Sequence, residues 1–245
     1  MKYLKVTGLL VLFCLMLSGC SSSKPKSQVK TQPAATYAGW TTVKLGKAGS
    51  LQIPDTMEVR NDEYIKKAQE AVKDNSKLVL AMQKQQTMSK NAGTVTCQTK
   101  GLNEQGPKAL EKGKYAQVIF SAIPVKDKIP GYGQPVGLTA EQIKDFGEIT
   151  KDGIVVKDQT IDKSTKYSNW QPMKSEIING AECLYIAYDY QSDSVKPMHV
   201  DRYTFFDKNV IYTLEVSSRL AEKDYWHSKD KDISNIVNTL NIVSK

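Results

Sequence analysis

The hydrophobic patterning of this 245-residue chain predicts an α+β fold: an antiparallel sheet with a C-terminal three-stranded meander, covered by about three helices. Three observations predict it. Apolar residues recur with period two over residues 181–190, 198–206 and 210–216, the pattern of half-buried strands. Asn179-Gly180 separates residues 174–178 from 181–190, and this pair is the strongest short hairpin signal because both turn residues tolerate positive φ. The patterns then follow the order strands, helix, strands, helix, meander, helix, which fits helices laid on an antiparallel sheet.

Taken in order, residues 40–45 alternate weakly, Leu51-Gln52-Ile53-Pro54 follows a Gly-Ser turn, and Met57-Glu58-Val59-Arg60 comes next. These are two or three short strands of an opening hairpin or meander. Asn61 and Asp62 can cap a helix, and behind them Ile65, Ala68, Val72, Val79 and Met82 recur at helical spacing. Asp74-Asn75-Ser76 is a candidate break in that helix. Residues 94–99 are strand-like around Cys97, 100–114 form a polar loop, 115–125 a buried strand, and 127–137 a further loop. Thr139 caps the next helix, with Gln142 three residues on completing a capping box, and Ile143, Phe146 and Ile149 as its apolar stripe. In the last third, Leu184, Ile186, Tyr188 and Tyr190 share one strand face, and so do Val210, Tyr212, Leu214 and Val216, after a turn at Asp207-Lys208-Asn209. A final helix is expected from about residue 223 to 240, with Trp226, Ile233, Ile236, Val237 and Leu240 on one side.

The first twenty residues are of another kind. Lys2 and Lys5 form a positive front, and residues 6–17 are almost wholly apolar. That run is too short for a membrane-crossing helix, which needs about 20 residues, and has the length of a signal-peptide core. Leu17-Ser18-Gly19-Cys20 follows. This resembles the bacterial lipobox, and the resemblance implies cleavage before Cys20 and lipid on its thiol. Two acyl chains on one residue anchor stably where one holds marginally. Residues 21–35 are polar, with Lys24, Lys26 and Lys30 among them, and cannot bury enough surface to offset the entropy of ordering. The expected organisation is a signal peptide over 1–19, a lipidated cysteine and flexible tether over 20–39, and a single α+β domain over 40–245.

The formal charge is +8, but lysines are scattered and Lys-Asp neighbours recur at 73–74, 151–152, 157–158 and 223–224. That is a solvated surface and not a nucleic-acid stripe. Of four cysteines, Cys14 leaves with the leader and Cys20 takes lipid. Cys97 and Cys183 remain, a pair that an export compartment allows to form a disulfide, with two buried free thiols as the equal alternative.

Chemistry-bearing motifs are sparse. His199 lies on the same strand face as Asp201, and His227 follows Trp226. A Cys–His nucleophile pair would need Cys97 or Cys183 beside one of these histidines, and no local pattern supports one. No Cys, His or carboxylate residues stand at metal-ligand spacing, so no metal or cofactor is expected. Gly131-Tyr132-Gly133-Gln134-Pro135-Val136-Gly137 lacks the Lys-Ser/Thr of a phosphate loop, and Pro135 removes an amide. Tyr185, Tyr188, Tyr190, Tyr203, Phe205, Phe206, Tyr212, Tyr225 and Trp226 crowd the last third, where strand packing accounts for them better than a binding groove does.

An early Leu51-Gln52-Ile53-Pro54 strand, the Ile178-Asn179-Gly180 hairpin, the segment 203–214 and the closing 236–243 stretch together resemble the PsbP-like and DcrB-like domains of bacterial envelope lipoproteins. The resemblance covers mainly residues 40–60 and 170–245. It implies a non-catalytic binding or assembly module, attached to membrane lipid through Cys20 and meeting an envelope protein or the cell wall. A ligand-binding lipoprotein serving a transporter is the second expectation, and a hydrolase the third.

Overall fold

The computed structural model describes residues 33–74, 83, 86, 93–111, 113–124, 138–193, 195–207, 210–228 and 232–243. The leader, Cys20, Val79, Met82, the expected break after Asp74, the whole 127–137 loop with its glycine-rich run, and the turn at 208–209 lie outside them. Among the described residues no helix is long and apolar enough to cross a membrane.

The fold is α+β, built on two antiparallel sheets. Strands β1 (Thr41–Lys44), β2 (Gly49–Ile53) and β11 (Asn241–Ile242) make a small sheet in the order β1-β2-β11. The large sheet runs β3 (Met57–Val59), β4 (Val95–Thr99), β5 (Ala116–Pro124), β10 (Val210–Arg219), β9 (Met198–Asp207), β8 (Ala181–Gln191), β6 (Lys166–Ser168), with β7 (Lys174–Ile178) paired to β8. The expected opening meander therefore divides: β1 and β2 form their own hairpin, and β3 joins the large sheet. The C-terminal meander β8-β9-β10 is its centre. Asn179 and Gly180 both take positive φ, 51° and 79°, and Ile178 pairs with Ala181 across them, a two-residue hairpin as the sequence predicts.

Register decides what each face does. Cys97, Val118, Phe120, Leu214, Val216, Tyr203, Phe205 and Cys183 point to one face. They form one core with Leu51 and Ile53 of the small sheet and with Trp226, Ile233, Ile236, Val237 and Leu240. Leu184, Ile186, Tyr188 and Val200 point to the other face. There they meet α3 (Ala140–Ile161) through Ile154, Phe146 and Ile143, with Met173, just before β7, packed in the same cluster. The smaller α1 (Asp62–Ala71) is capped by Asn61, whose Oδ1 accepts the Tyr64 amide at 3.1 Å. It packs Tyr64 and Ala68 on Leu102. The segment 100–114, expected as a plain loop, holds α2 (Leu102–Gln105) and a 3-10 turn, Pro107–Glu111.

Two expected helices change in detail. The capping box at Thr139 and Gln142 is present, with bonds of 3.2 and 2.9 Å, but Ile149 is 40% exposed. At 3.6 residues per turn Ile149 sits about 140° away from the direction shared by Ile143, Gly147 and Ile154, so the buried stripe runs through those residues. The final helix is not continuous. It is one turn, α4 (Lys223–Trp226), then a 3-10 helix, Ile233–Thr239. Asp232 starts the second piece by accepting the Ser234 amide at 3.0 Å, which fixes a new entry angle. All five apolar residues expected on its inner side are nonetheless buried.

The tether boundary also moves. The Ala35 amide donates to the Asn238 carbonyl at 2.8 Å, the Tyr37 amide to Gln52 Oε1 at 2.9 Å, and Tyr37 stacks on Trp40. Residues 35–39, expected as tether, are docked on the domain.

Candidate functional site

The structure resolves the cysteine alternatives first. Cys97 is on β4 and Cys183 on β8, with β5, β10 and β9 between them. At about 4.8 Å per strand step they are on the order of 20 Å apart, beyond the roughly 7 Å that a disulfide spans. Both thiols are free and buried, so the expected alternative of a Cys97–Cys183 bridge gives way to two separate core thiols. Burial pushes each up to about 12, which leaves them protonated and unreactive. Neither thiol pairs with His199 either. Cys183 is six residues along the sheet from Asp189, the partner of His199, and Cys97 is three strands from β9.

His199 and Asp201, expected on one strand face, are brought together there with residues from β8. In the β8–β9 register His199 pairs with Asp189, Asp201 with Ala187 and Tyr203 with Tyr185. His199 Nδ1 lies 2.6 Å from Asp189 Oδ1 and its Nε2 lies 3.6 Å from Asp201 Oδ1. Asn169, held at φ 52°, donates through Nδ2 to the second oxygen of Asp189 at 2.6 Å. The Tyr185 hydroxyl donates to Asp201 Oδ1 at 2.6 Å. The result is a polar chain from Asn169 through Asp189, His199 and Asp201 to Tyr185, hydrogen-bonded throughout except between His199 and Asp201, which sit at ion-pair distance. It crosses the end of the face that is otherwise filled by apolar core.

The electrostatics follow from the geometry. The Asp201 carboxylate beside it raises the His199 imidazole above its ordinary value; burial opposes this, and Asp189 adds to it. Burial pushes the Asp201 carboxyl up, but its bonds to His199 and Tyr185 outweigh that, so it titrates below its usual range. Burial, reinforced by the bond to Asp201, pushes the Tyr185 phenol well up. The arrangement favours an imidazolium between two carboxylates.

Ser218 stands opposite His199 in the β9–β10 register, so serine, histidine and aspartate occupy one row. The geometry is not that of an activated nucleophile: both imidazole nitrogens face carboxylates, whereas a general base turns one of them to the hydroxyl. Among the described residues no group of three His, Cys, Asp or Glu is arranged to hold a metal ion. The second histidine, His227, ends α4 and places Nδ1 3.2 Å from Asp232 Oδ1. It also lies close enough to Asp201 to lower that carboxyl.

Two recesses open on this framework. One, of about 290 Å³, is lined by Lys166, Ser168, Asp189, Gln191, Pro197 and Leu220 and reaches the polar chain through Asp189. The other, of about 470 Å³, lies at the rim between the two sheets, against Leu45, Ala48, Val95 and Ala122. Most of the crowded aromatics pack: Trp170 stacks on Tyr188 at 4.4 Å, and Tyr167 joins them. The Tyr167 hydroxyl donates to Asp158 of α3. Asp189 and Tyr185 were missed in the sequence because they join the site only through the β8–β9 register, and Asn169 because it reaches Asp189 from the loop after β6.

No family model matches the chain, and no curated protein matches it significantly. Among solved structures the chain is similar to the solution structure of CyanoP from Synechocystis sp. PCC 6803, with 12% identity over 93% of this chain and 99% of that one, at a TM-score of 0.43. That protein is a cyanobacterial PsbP. It bears the name of the family that the strand pattern resembles; similarity of this degree fixes neither family nor activity for the present chain.

Proposed function

We propose that this chain is a lipid-anchored lipoprotein of the bacterial cell envelope, held by Cys20 and facing outside the cytoplasm, whose α+β domain binds or assembles with an envelope protein or the cell wall. The observation that carries the reading is Leu17-Ser18-Gly19-Cys20 at the end of a short apolar run behind Lys2 and Lys5. The state of the reactive groups supports binding over catalysis. Both thiols are buried and protonated, and each nitrogen of His199 already faces a carboxylate.

Labelling cells with a palmitate analogue tests the anchor. The natural chain should carry label and fractionate with membranes. Cys20→Ala should lose the label and accumulate as unprocessed precursor. Equal labelling of the two would overturn the proposal.

A further inference from the structure

Asn179-Gly180 is the one Asn-Gly pair of the chain. Both residues take positive φ, and Ile178 pairs with Ala181 across them. Aspartate serves such a turn as well as asparagine does, so the turn alone does not call for the side-chain amide. That amide is used elsewhere. Its Nδ2 donates to the Asn238 carbonyl at 3.0 Å and to the Leu240 carbonyl at 2.8 Å, which occupies both of its hydrogens. The two carbonyls stand at the C-terminal end of the 3-10 helix Ile233–Thr239, where a helix leaves its last acceptors without internal partners. The Asn238 carbonyl also accepts the Ala35 amide at 2.8 Å. One side chain thus joins the hairpin tip, the C-terminal segment and the N-terminal entry of the domain.

Asparagine is chemically labile, most of all before glycine, whose missing Cβ leaves its amide nitrogen unhindered. The Gly180 nitrogen gives its proton to hydroxide and attacks Asn179 Cγ. The new N–Cγ bond closes a succinimide ring; the Cγ–Nδ2 bond breaks, and Nδ2 leaves as ammonia with a proton from water. Water then opens the ring at either carbonyl, to aspartate or isoaspartate. Strand pairing ends at Ile178 and Ala181, and Asn179 and Gly180 are half-buried, so water reaches both. We propose that Asn179 is a deamidation site: as an amide it locks the end of the C-terminal segment to the hairpin, and as an acid it loosens that segment for good. Ring closure expels the nitrogen that makes both bonds, so it proceeds when the hairpin tip and the segment part. The product carboxylate has acceptors only. It faces two carbonyl oxygens at the negative end of a helix, next to the core residues Ile236, Val237 and Leu240. Loss of ammonia makes the change one-way.

Two measurements on the full chain test this. In the first, the natural chain and a peptide of residues 174–184 are held in mildly alkaline buffer, and conversion at position 179 is followed by mass spectrometry. The folded chain should convert about 5- to 200-fold more slowly than the peptide, the factor that two net hydrogen bonds supply. Equal rates would mean that the two carbonyls do not hold the amide. No conversion within about two hundred peptide half-lives, the upper end of the same factor, would mean that the position is not a modification site. The second measurement is hydrogen exchange at the Ala35 and Leu240 amides, which donate to the Asn238 and Val237 carbonyls. Asn179→Asp keeps a favoured turn pair and reproduces the aspartate product; both amides should exchange at least about tenfold faster than in the natural chain. Asn179→Gly, which loses the amide without gaining charge and cannot deamidate, should fall between the two. Exchange as slow as the natural chain's in either variant overturns the lock.

Discussion

The two faces of the large sheet are covered by different means. One face is closed by pieces distant in sequence: β1 and β2 from the start of the domain and the segment 223–242 from its end, joined through β11 and through the Gln52 amide bonded to Thr239 Oγ1 at 2.8 Å. The other is covered by one local helix, α3, with its own capping box and a surround of aromatic and charged groups, among them Trp170 on Tyr188 and the Arg202–Glu215 pair. The first cover depends on long-range apolar burial, since its helical pieces, four and seven residues long, are too short to hold shape alone. The second brings local helical preference with it. One face should therefore fail cooperatively and the other by degrees.

The largest test strikes the first face. Ile233→Ala with Leu240→Ala should each cost about 2–5 kcal/mol, against a whole stability of about 5–15 kcal/mol. The thermal midpoint of the full chain, followed by circular dichroism, should collapse. A melt close to that of the natural chain would mean that the segment 223–242 is not part of the core.

A smaller loss is expected under α3. Ile154→Ala removes a side chain 8% exposed whose neighbours are the rings of Tyr188 and Tyr167. Its cost should fall at the lower end of the same range, about 2 kcal/mol, with folding retained. If it matched the double variant above, the contrast between the faces would disappear.

The finest test compares two glycines of one helix. A Cβ at Gly147 would lie 2.9 Å from Met173 Cβ, whereas one at Gly153 would meet nothing within 4 Å. Gly153→Ala should stabilise by about 0.5–1 kcal/mol. Gly147→Ala should lose that gain and become destabilising by about 1 kcal/mol. Urea midpoints with equal slopes would separate them, and a stabilising Gly147→Ala would show that α3 rides loosely on the sheet.

The sequence alone determined what depends on short-range physics. Alternation fixed β8, β9 and β10; Asn179-Gly180 fixed the hairpin register; Thr139 and Gln142 fixed where α3 begins. The stripe of Trp226, Ile233, Ile236, Val237 and Leu240 was legible as an inward-facing set even though the backbone carrying it is a helical turn and a 3-10 helix. Burial rewards the set of side chains more than the hydrogen-bond pattern beneath them. Tertiary structure decided the rest. The short β6 carries too few residues for a periodic signal, and β3 parted from β1 and β2 because sheet membership depends on which distant strand offers a free edge. The separation of Cys97 from Cys183 is a property of strand order, which composition does not encode. Half of the polar chain at His199 was visible as the pair His199 and Asp201, two residues apart on one strand face. Asp189 and Tyr185 reach it only because β8 lies beside β9 in one register, and shifting that register by a single residue would turn both to the opposite face, while Asn169 comes from the loop after β6.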